Sequence, residues 1–369
     1  MEPIYYKESK SEISLKSEIS LLSRLEVQII NNPEEILQYL HLGISIPILQ
    51  EFHKYIIPTF EAYKAKAILL KEKFNTELLN VQADNVIGMT LVYDDGQDTM
   101  FFGLFGIYDH EEHKISFLID KLIEYAKEQK YSYIRGPINI PAVIFGWGFM
   151  VEGSSKSLFV GCPVNPPIYQ QTFLKKGFYV KFEEDRYDVV VIKMNPYTLK
   201  KRDGSLYDFS DYEILHPPKE KIMEYREDMK RLHMNYMPPS AQISPAHPIN
   251  FQVHFDFIYE YGTESHIWVV YYKPTGKMVA WGHIIPNPFS KDRRGRTDSA
   301  SFHYWVVHPE HRRNGLAMLM YGATSVKVYR EGLRWGSWPV GSDNKANASA
   351  ARKMKGVRDR RHLILEFQL

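Results

Sequence analysis

The residues best suited to chemistry lie together at positions 305–317, which read Trp-Val-Val-His-Pro-Glu-His-Arg-Arg-Asn-Gly-Leu-Ala. An apolar strand runs into Pro309. After Arg312, Arg313, Asn314 and Gly315, an amphipathic helix begins, with Leu316, Leu319, Met320 and Ala323 inward. A helix start carries unpaired backbone N–H groups and the positive end of the helix dipole. Gly315 lets the main chain approach an anion with no side chain in the way. Ala317 keeps the first turn slim, and Arg312 and Arg313 add charge. The ligand this arrangement suits is a diphosphate. Downstream, Ser342-Asp343-Asn344 follows a short strand and opens a second helix that ends near Gly356. Asn344 is of a type preferred at helix N-caps.

Other chemistry-bearing patterns carry less. His110-Glu111-Glu112-His113 lacks the four-residue His spacing of a helical zinc motif, because position 114 is Lys. It is read as a charged turn, and no metal site is expected. The glycines at 146, 148 and 153 do not complete a dinucleotide-binding spacing. Phe101, Phe102, Phe105 and Tyr108 have no basic neighbours and read as sheet core rather than a base-stacking platform. The single cysteine, Cys162, excludes an intrachain disulfide and a Cys-based zinc cluster.

The chain has 369 residues, of which 44% are hydrophobic and 24% charged, an ordinary globular composition. The formal net charge of +2 conceals an uneven distribution. Residues 290–369 hold 16 Lys/Arg against 7 Asp/Glu, a balance of +9, so the remainder carries −7. Such a patch suits phosphate on a cofactor, a membrane or nucleic acid. No apolar run approaches the ~20 residues that span a bilayer. The N-terminal ten residues lack a secretory signal's apolar core, so a cytoplasmic setting is the expectation.

The elements that must position these residues follow from periodicity. Residues 11–75 read as helical, with Pro58 as a break. Residues 86–93 and 99–107 read as a hairpin, 112–129 as an amphipathic helix and 131–135 as a short strand. A Gly/Pro-rich loop over 138–165 precedes a helix at 167–176, with strands at 178–183 and 187–193. After a polar linker at 195–210, the order repeats. Strands are expected at 212–216, 266–272, 277–285, 299–307, 334–340 and 361–368. Helices are expected at 217–233, within 248–261, at 315–331 and at 346–355. The repeat is one of element order, not of residues.

The 305–317 stretch resembles motif A of the GNAT superfamily of N-acyltransferases: Gln or Arg, two residues, Gly, one residue, then Gly or Ala, met by Arg312, Gly315 and Ala317. The lead-in of a hydrophobic strand and His-Pro-Glu also matches. The resemblance covers 212–369 well and 86–193 by layout. It implies that the amides of Arg312, Arg313, Asn314, Gly315, Leu316 and Ala317 grip the pyrophosphate of acetyl-CoA or another acyl-CoA. It further implies that Val306 and Val307 pair with the pantetheine arm and that Asn344 helps hold the cofactor; the Asn344–Gly356 interval is twelve, against about eleven in the family. In the first half, the equivalent turn at 109–113 carries three carboxylates and should repel a diphosphate, so one cofactor site is expected. Tyr169, Gly177 and Phe178 echo the family's ending of the fourth helix.

Family members often use a Glu on the fourth strand as base and a Tyr on the fourth helix as acid. This chain departs from both. Strand 299–307 has no carboxylate, and helix 346–355 has no Tyr; Tyr321 and Tyr329 lie on another helix. His303 is the candidate base, since an imidazole titrates near neutrality. His283 is the alternative, with Asp343 and the Leu369 carboxylate as weaker ones.

The expectation is an α/β protein of tandem GNAT-like lobes, each a mixed, mostly antiparallel sheet flanked by helices. A helical extension at 1–75 would lead to a degenerate lobe at 76–195 and an acyl-CoA-binding domain at 196–369. The expected activity is N-acylation of a small-molecule or peptide amine by direct transfer in a ternary complex. The alternatives are a non-catalytic acyl-CoA binder or scaffold, and an aminoacyl-tRNA-dependent transferase, whose RNA the +9 region would suit.

Overall fold

A computed structural model describes residues 24–44, 46–76, 81–153, 157–191, 196–237, 245 and 247–369, without the side chains of 74–76, 81–84, 196 and 303. Among the described residues, thirteen strands form one continuous sheet.

The first lobe begins with β1 (Leu25–Ile30), α1 (Pro33–Gly43), α2 (His53–Tyr63) and β2 (Lys66–Thr76). The helical reading of 11–75 is therefore corrected. Residues 1–23 lie outside the described residues, and 25–30 and 66–76 are an antiparallel pair in which Leu25 faces Glu72 and Ile30 faces Ala67. Long-range pairing decides such short apolar runs, and local periodicity does not see it. Pro58 does not break a helix but sits inside α2. At α1 the local signals hold: Pro33 opens the helix and the Asn32 side chain accepts from the Glu35 amide at 2.9 Å.

The lobe continues with β3 (Val81–Asp94), β4 (Thr99–Ile107), α3 (Glu112–Glu128), β5 (Tyr133–Gly136), α4 (Ala142–Phe145), β6 (Phe149–Gly153), α5 (Pro167–Lys175) and β7 (Tyr179–Val190). The expected loop over 138–165 thus contains a short helix and a strand, and the two expected closing strands are one. Ile115, Leu118, Ile119 and Leu122 form the buried stripe of α3.

The second lobe comprises β8 (Tyr212–Leu215), α6 (Arg226–Tyr236), α7 (Pro248–Tyr261), β9 (Ile267–Tyr272), β10 (Lys277–Pro286), β11 (Ser299–Val307), α8 (Leu316–Glu331), β12 (Trp335–Gly341), α9 (Lys345–Lys353) and β13 (Val357–Gln368). The repeat is visible in register. β4 and β5 run parallel only over Thr99–Phe101 and Tyr133–Arg135. β11 and β12 do so only over Ser299–Ser301 and Trp335–Ser337. Beyond these three-residue contacts each pair diverges.

The lobes exchange their last strands. The sheet order is β1-β2-β3-β4-β5-β13-β7-β12-β11-β10-β9-β8, with β6 also on β13. β13, from the end of the chain, pairs with β5 of the first lobe, while β7 of the first lobe pairs with β12 of the second. The two exchanged strands pair with each other. The exchange carries first-half residues Glu184 and Arg186 against Gly341 and Pro339 of β12.

Candidate functional site

In the second lobe the divergence of β11 from β12 opens a groove of about 630 Å³. Its floor includes Trp305, Val306 and Val307, and its sides come from Trp338 of β12, the α8 start and the near face of α9. Of the residues expected to hold the cofactor, Val306, Val307, Arg312, Arg313, Gly315, Leu316, Ala317 and Asn344 line it. Asn314 is turned aside; its Nδ2 donates to Tyr212 Oη at 3.0 Å, and that hydroxyl lies 3.1 Å from His311 Nδ1. The contact braces the turn from behind.

The turn is built for close main-chain approach. Arg313 and Gly315 both have left-handed backbone, with φ of 69° and 78°. Gly315 is the N-cap of α8, and the amides of Leu316 and Ala317 have no partner four residues back within the helix. A Cβ on Gly315 would lie 2.9 Å from Cδ1 of Tyr207, whose ring also lines the groove. Successive amides in such a conformation form an anion-binding concavity. The Arg312 guanidinium is held by main-chain carbonyls: Nε donates to Val307 O at 3.0 Å and Nη2 to Tyr236 O at 2.8 Å. It therefore ties α6 to the end of β11. Arg313 is exposed, and Lys353 of α9 is on the groove wall. Asn344 caps α9 through Oδ1, which accepts from the Asn347 amide at 3.0 Å. The residues present fit a diphosphate carried on a slender arm.

The corresponding cleft of the first lobe is filled by the chain itself. The Ile138 amide donates to Phe102 O at 2.7 Å, and Asn139 Oδ1 accepts from the Leu104 amide at 2.7 Å. At the turn, Lys114 Nζ is 2.5 Å from Asp109 Oδ2 and 3.0 Å from Glu72 Oε2. Desolvation opposes the charged form of Lys114, but these carboxylates hold its pKa above the usual lysine value. Tyr169 Oη is spent on Ile107 and on His110 Nδ1.

A second, larger cavity of about 810 Å³ lies between the lobes. It shares Trp147, Glu184, Met237, Tyr304 and Pro339 with the groove, so the two spaces adjoin at these residues. Two of these residues are ionisable, and sequence reasoning assigned neither to the site. Glu184 is 4% exposed and accepts from Trp147 Nε1 at 2.8 Å and Arg186 Nε at 3.0 Å. Tyr304 is buried, its hydroxyl has no hydrogen-bond partner among the described residues, and burial pushes its pKa well up, so it is a neutral donor. Glu184 gave no sequence signal, because only the strand exchange brings it here.

The expected bases are placed differently. The side chain of His303 lies outside the described residues. His283 is fully buried and lines neither cavity. Its Nε2 is 2.5 Å from Nε2 of His254, which does face the larger cavity. Asp343 lines the groove, while Leu369 is on neither wall.

The basic region is less available than its charge suggests. Arg296 packs beside Gly332, at the far end of α8, roughly 24 Å from Gly315 by helical rise. Arg360 is 2% exposed, and Arg361 and Arg358 are paired with Asp185 and Glu152, each at 2.9 Å. His308, Glu310 and His311 bring ligand-type atoms within 4.8 Å of one another beside the turn.

Comparison with known proteins agrees with this architecture. Residues 226–354 match the acetyltransferase (GNAT) family. No curated protein sequence matches the chain. Among solved structures, a tandem GNAT protein from the clavulanic acid biosynthesis pathway aligns over 93% of this chain and 98% of its own, at 14% identity and TM-score 0.56. The GCN5-related glucosamine N-acetyltransferase region of a fungal multi-domain GH3 beta-N-acetylglucosaminidase aligns over 93% of this chain and 38% of that one, at 11% identity and TM-score 0.57. A probable N-acyltransferase from Enterococcus faecalis V583 aligns over 93% and 72%, at 9% identity and TM-score 0.51. At these identities the likeness is one of fold. Among the described residues no helix is long and apolar enough to cross a membrane. Residues 226–354 thus carry a match to the acetyltransferase (GNAT) family, and the chain as a whole shares its two-lobed fold with a solved tandem GNAT protein.

Proposed function

We propose that the second-lobe groove binds acetyl-CoA or a related acyl-CoA, and that the chain transfers the acyl group directly to a small-molecule or peptide amine in the cavity between the lobes. The observation that carries this reading is the junction of the two spaces at Glu184 and Tyr304. The amides of residues 313–317 would hold the diphosphate, with Arg313 and Lys353 adding charge. When bound, the cofactor supplies an activated acyl thioester. Glu184 would take one proton from the incoming ammonium, which frees the nitrogen lone pair to attack the acyl carbon. The Tyr304 hydroxyl would give its proton to the sulfur as the carbon–sulfur bond breaks and recover one from the nitrogen's remaining excess proton, so the products are an amide and a free thiol. His283 offers a second proton route through His254. A cytoplasmic setting is part of this proposal.

Titration calorimetry with acetyl-CoA, followed by thiol release over an amine panel, tests the proposal. Glu184→Gln should leave acetyl-CoA affinity within about twofold and lower turnover about 10²- to 10⁴-fold. Binding without thiol release for any amine would make the chain a cofactor binder. Absence of acetyl-CoA binding would remove the assignment altogether.

A further inference from the structure

The larger cavity contains a buried cation with an unused donor. Arg186 of β7 is 3% exposed. Its Nε donates to Glu184 Oε1 at 3.0 Å, and its Nη2 donates to the Gly161 carbonyl. Its Nη1 is buried and has no hydrogen-bond partner among the described residues, and the residue is on the cavity wall. A guanidinium presents five N–H donors in a planar fork. Leaving the Nη1 donors of that fork unmatched is costly, and a carboxylate is the acceptor that satisfies a guanidinium donor best.

Position adds a second constraint. Arg186 lines the cavity but not the cofactor groove, whereas Glu184 lines both. The two residues are separated by one position on the same strand, so they share a face about 6–7 Å apart along it. A ligand whose amine reaches Glu184 at the junction therefore presents to Arg186 whatever group lies a few bonds further on. The other cations on this wall are engaged: Arg135 and Lys181 both pair with Glu366, at 2.5 and 2.8 Å.

We propose that the acceptor is a carboxylate-bearing primary amine of the amino-acid or short-peptide class, its ammonium at Glu184 and its carboxylate on Nη1 of Arg186. The inference rests on the acyl-transfer reading for the role of the amine, but the carboxylate subsite is testable without transfer.

Amino acids and dipeptides, each paired with its own C-terminal amide, are titrated into the whole protein with and without saturating coenzyme A. Free carboxylates should bind about tenfold or more tighter than their amides, as expected for a charge-assisted hydrogen bond. Arg186→Lys, which keeps the charge and the pairing with Glu184, should narrow that preference at least about fivefold without changing coenzyme A affinity. Arg186→Gln should abolish it; circular dichroism and the melting temperature establish that each variant is folded. Equal affinity for acid and amide, no binding by either, an undiminished preference in folded Arg186→Lys, or a preference that survives in folded Arg186→Gln would each overturn the proposal. The coenzyme A titration is read separately: its failure would overturn the acyl-transfer reading, while the acid-against-amide comparison would still decide the Arg186 site.

Discussion

Gly315→Ala is the substitution whose consequence follows most directly from the geometry. Gly315 has φ of 78°, where an L-residue costs roughly 1–2 kcal/mol. Its new Cβ would lie 2.9–3.2 Å from three atoms of the Tyr207 ring. That ring cannot withdraw freely, because it stacks on Phe209 with centroids 6.0 Å apart and planes 15° apart. Overpacking of this kind costs roughly 1–3 kcal/mol more. The variant should therefore be about 2–5 kcal/mol less stable by urea denaturation. If the turn relieves the contact by moving, one or two amides lose their aim at the diphosphate, and acetyl-CoA affinity should fall about 10- to 100-fold by calorimetry. The double variant Gly315→Ala/Tyr207→Ala separates the two terms. It should recover the overpacking part and keep the left-handed cost, an interaction energy readable from the cycle. Wild-type stability and affinity in Gly315→Ala would refute the account of this turn, as would a cycle with no coupling between the two positions.

Further predictions concern the rest of the site and fold. Tyr304→Phe removes a buried hydroxyl without a partner, so stability should hold or rise by up to about 1 kcal/mol while turnover falls; unchanged thiol release would exclude Tyr304 as a donor. His362 is 1% exposed, and burial, reinforced by Arg186, pushes its pKa down to about 4. An unfolded histidine titrates near 6.5, so this residue's contribution is complete above pH 6.5 and is lost as pH falls toward 4, at about 1.4 kcal/mol per unit and about 3 kcal/mol in all. Urea unfolding at several pH values should show a shallower acid slope for His362→Asn; parallel slopes would exclude the assignment. Residues 196–369 expressed alone lack β7, which supplies seven paired positions to β12 and nine to β13. That fragment should fail to fold cooperatively, whereas the whole chain should unfold in one transition by calorimetry. A soluble 196–369 fragment that binds acetyl-CoA would contradict this.

Local chemistry alone marked out the turn that we propose holds the cofactor. Strand, Pro309, Arg312, Gly315 and helix are contiguous, and their spacing specifies a left-handed glycine at a helix start whatever surrounds it. The order of elements was legible for the same reason: the stripe of Ile115, Leu118, Ile119 and Leu122 and the largely apolar run of β10 are short-range patterns. The β1–β2 pair was not legible, because its hydrogen-bond partners are about forty residues apart and neither strand alone is distinguishable from a helix segment. Nor was the role of Arg312, which charge assigned to phosphate and which packing turned onto two carbonyls. The acceptor side was decided by tertiary structure alone. Glu184 and Arg186 sit in the acidic first half, on a strand with no motif, and acquire chemical meaning only because β7 crosses into the second lobe beside β12. A strand exchange is a global minimum of pairing over the whole sheet, and no window of sequence contains both partners.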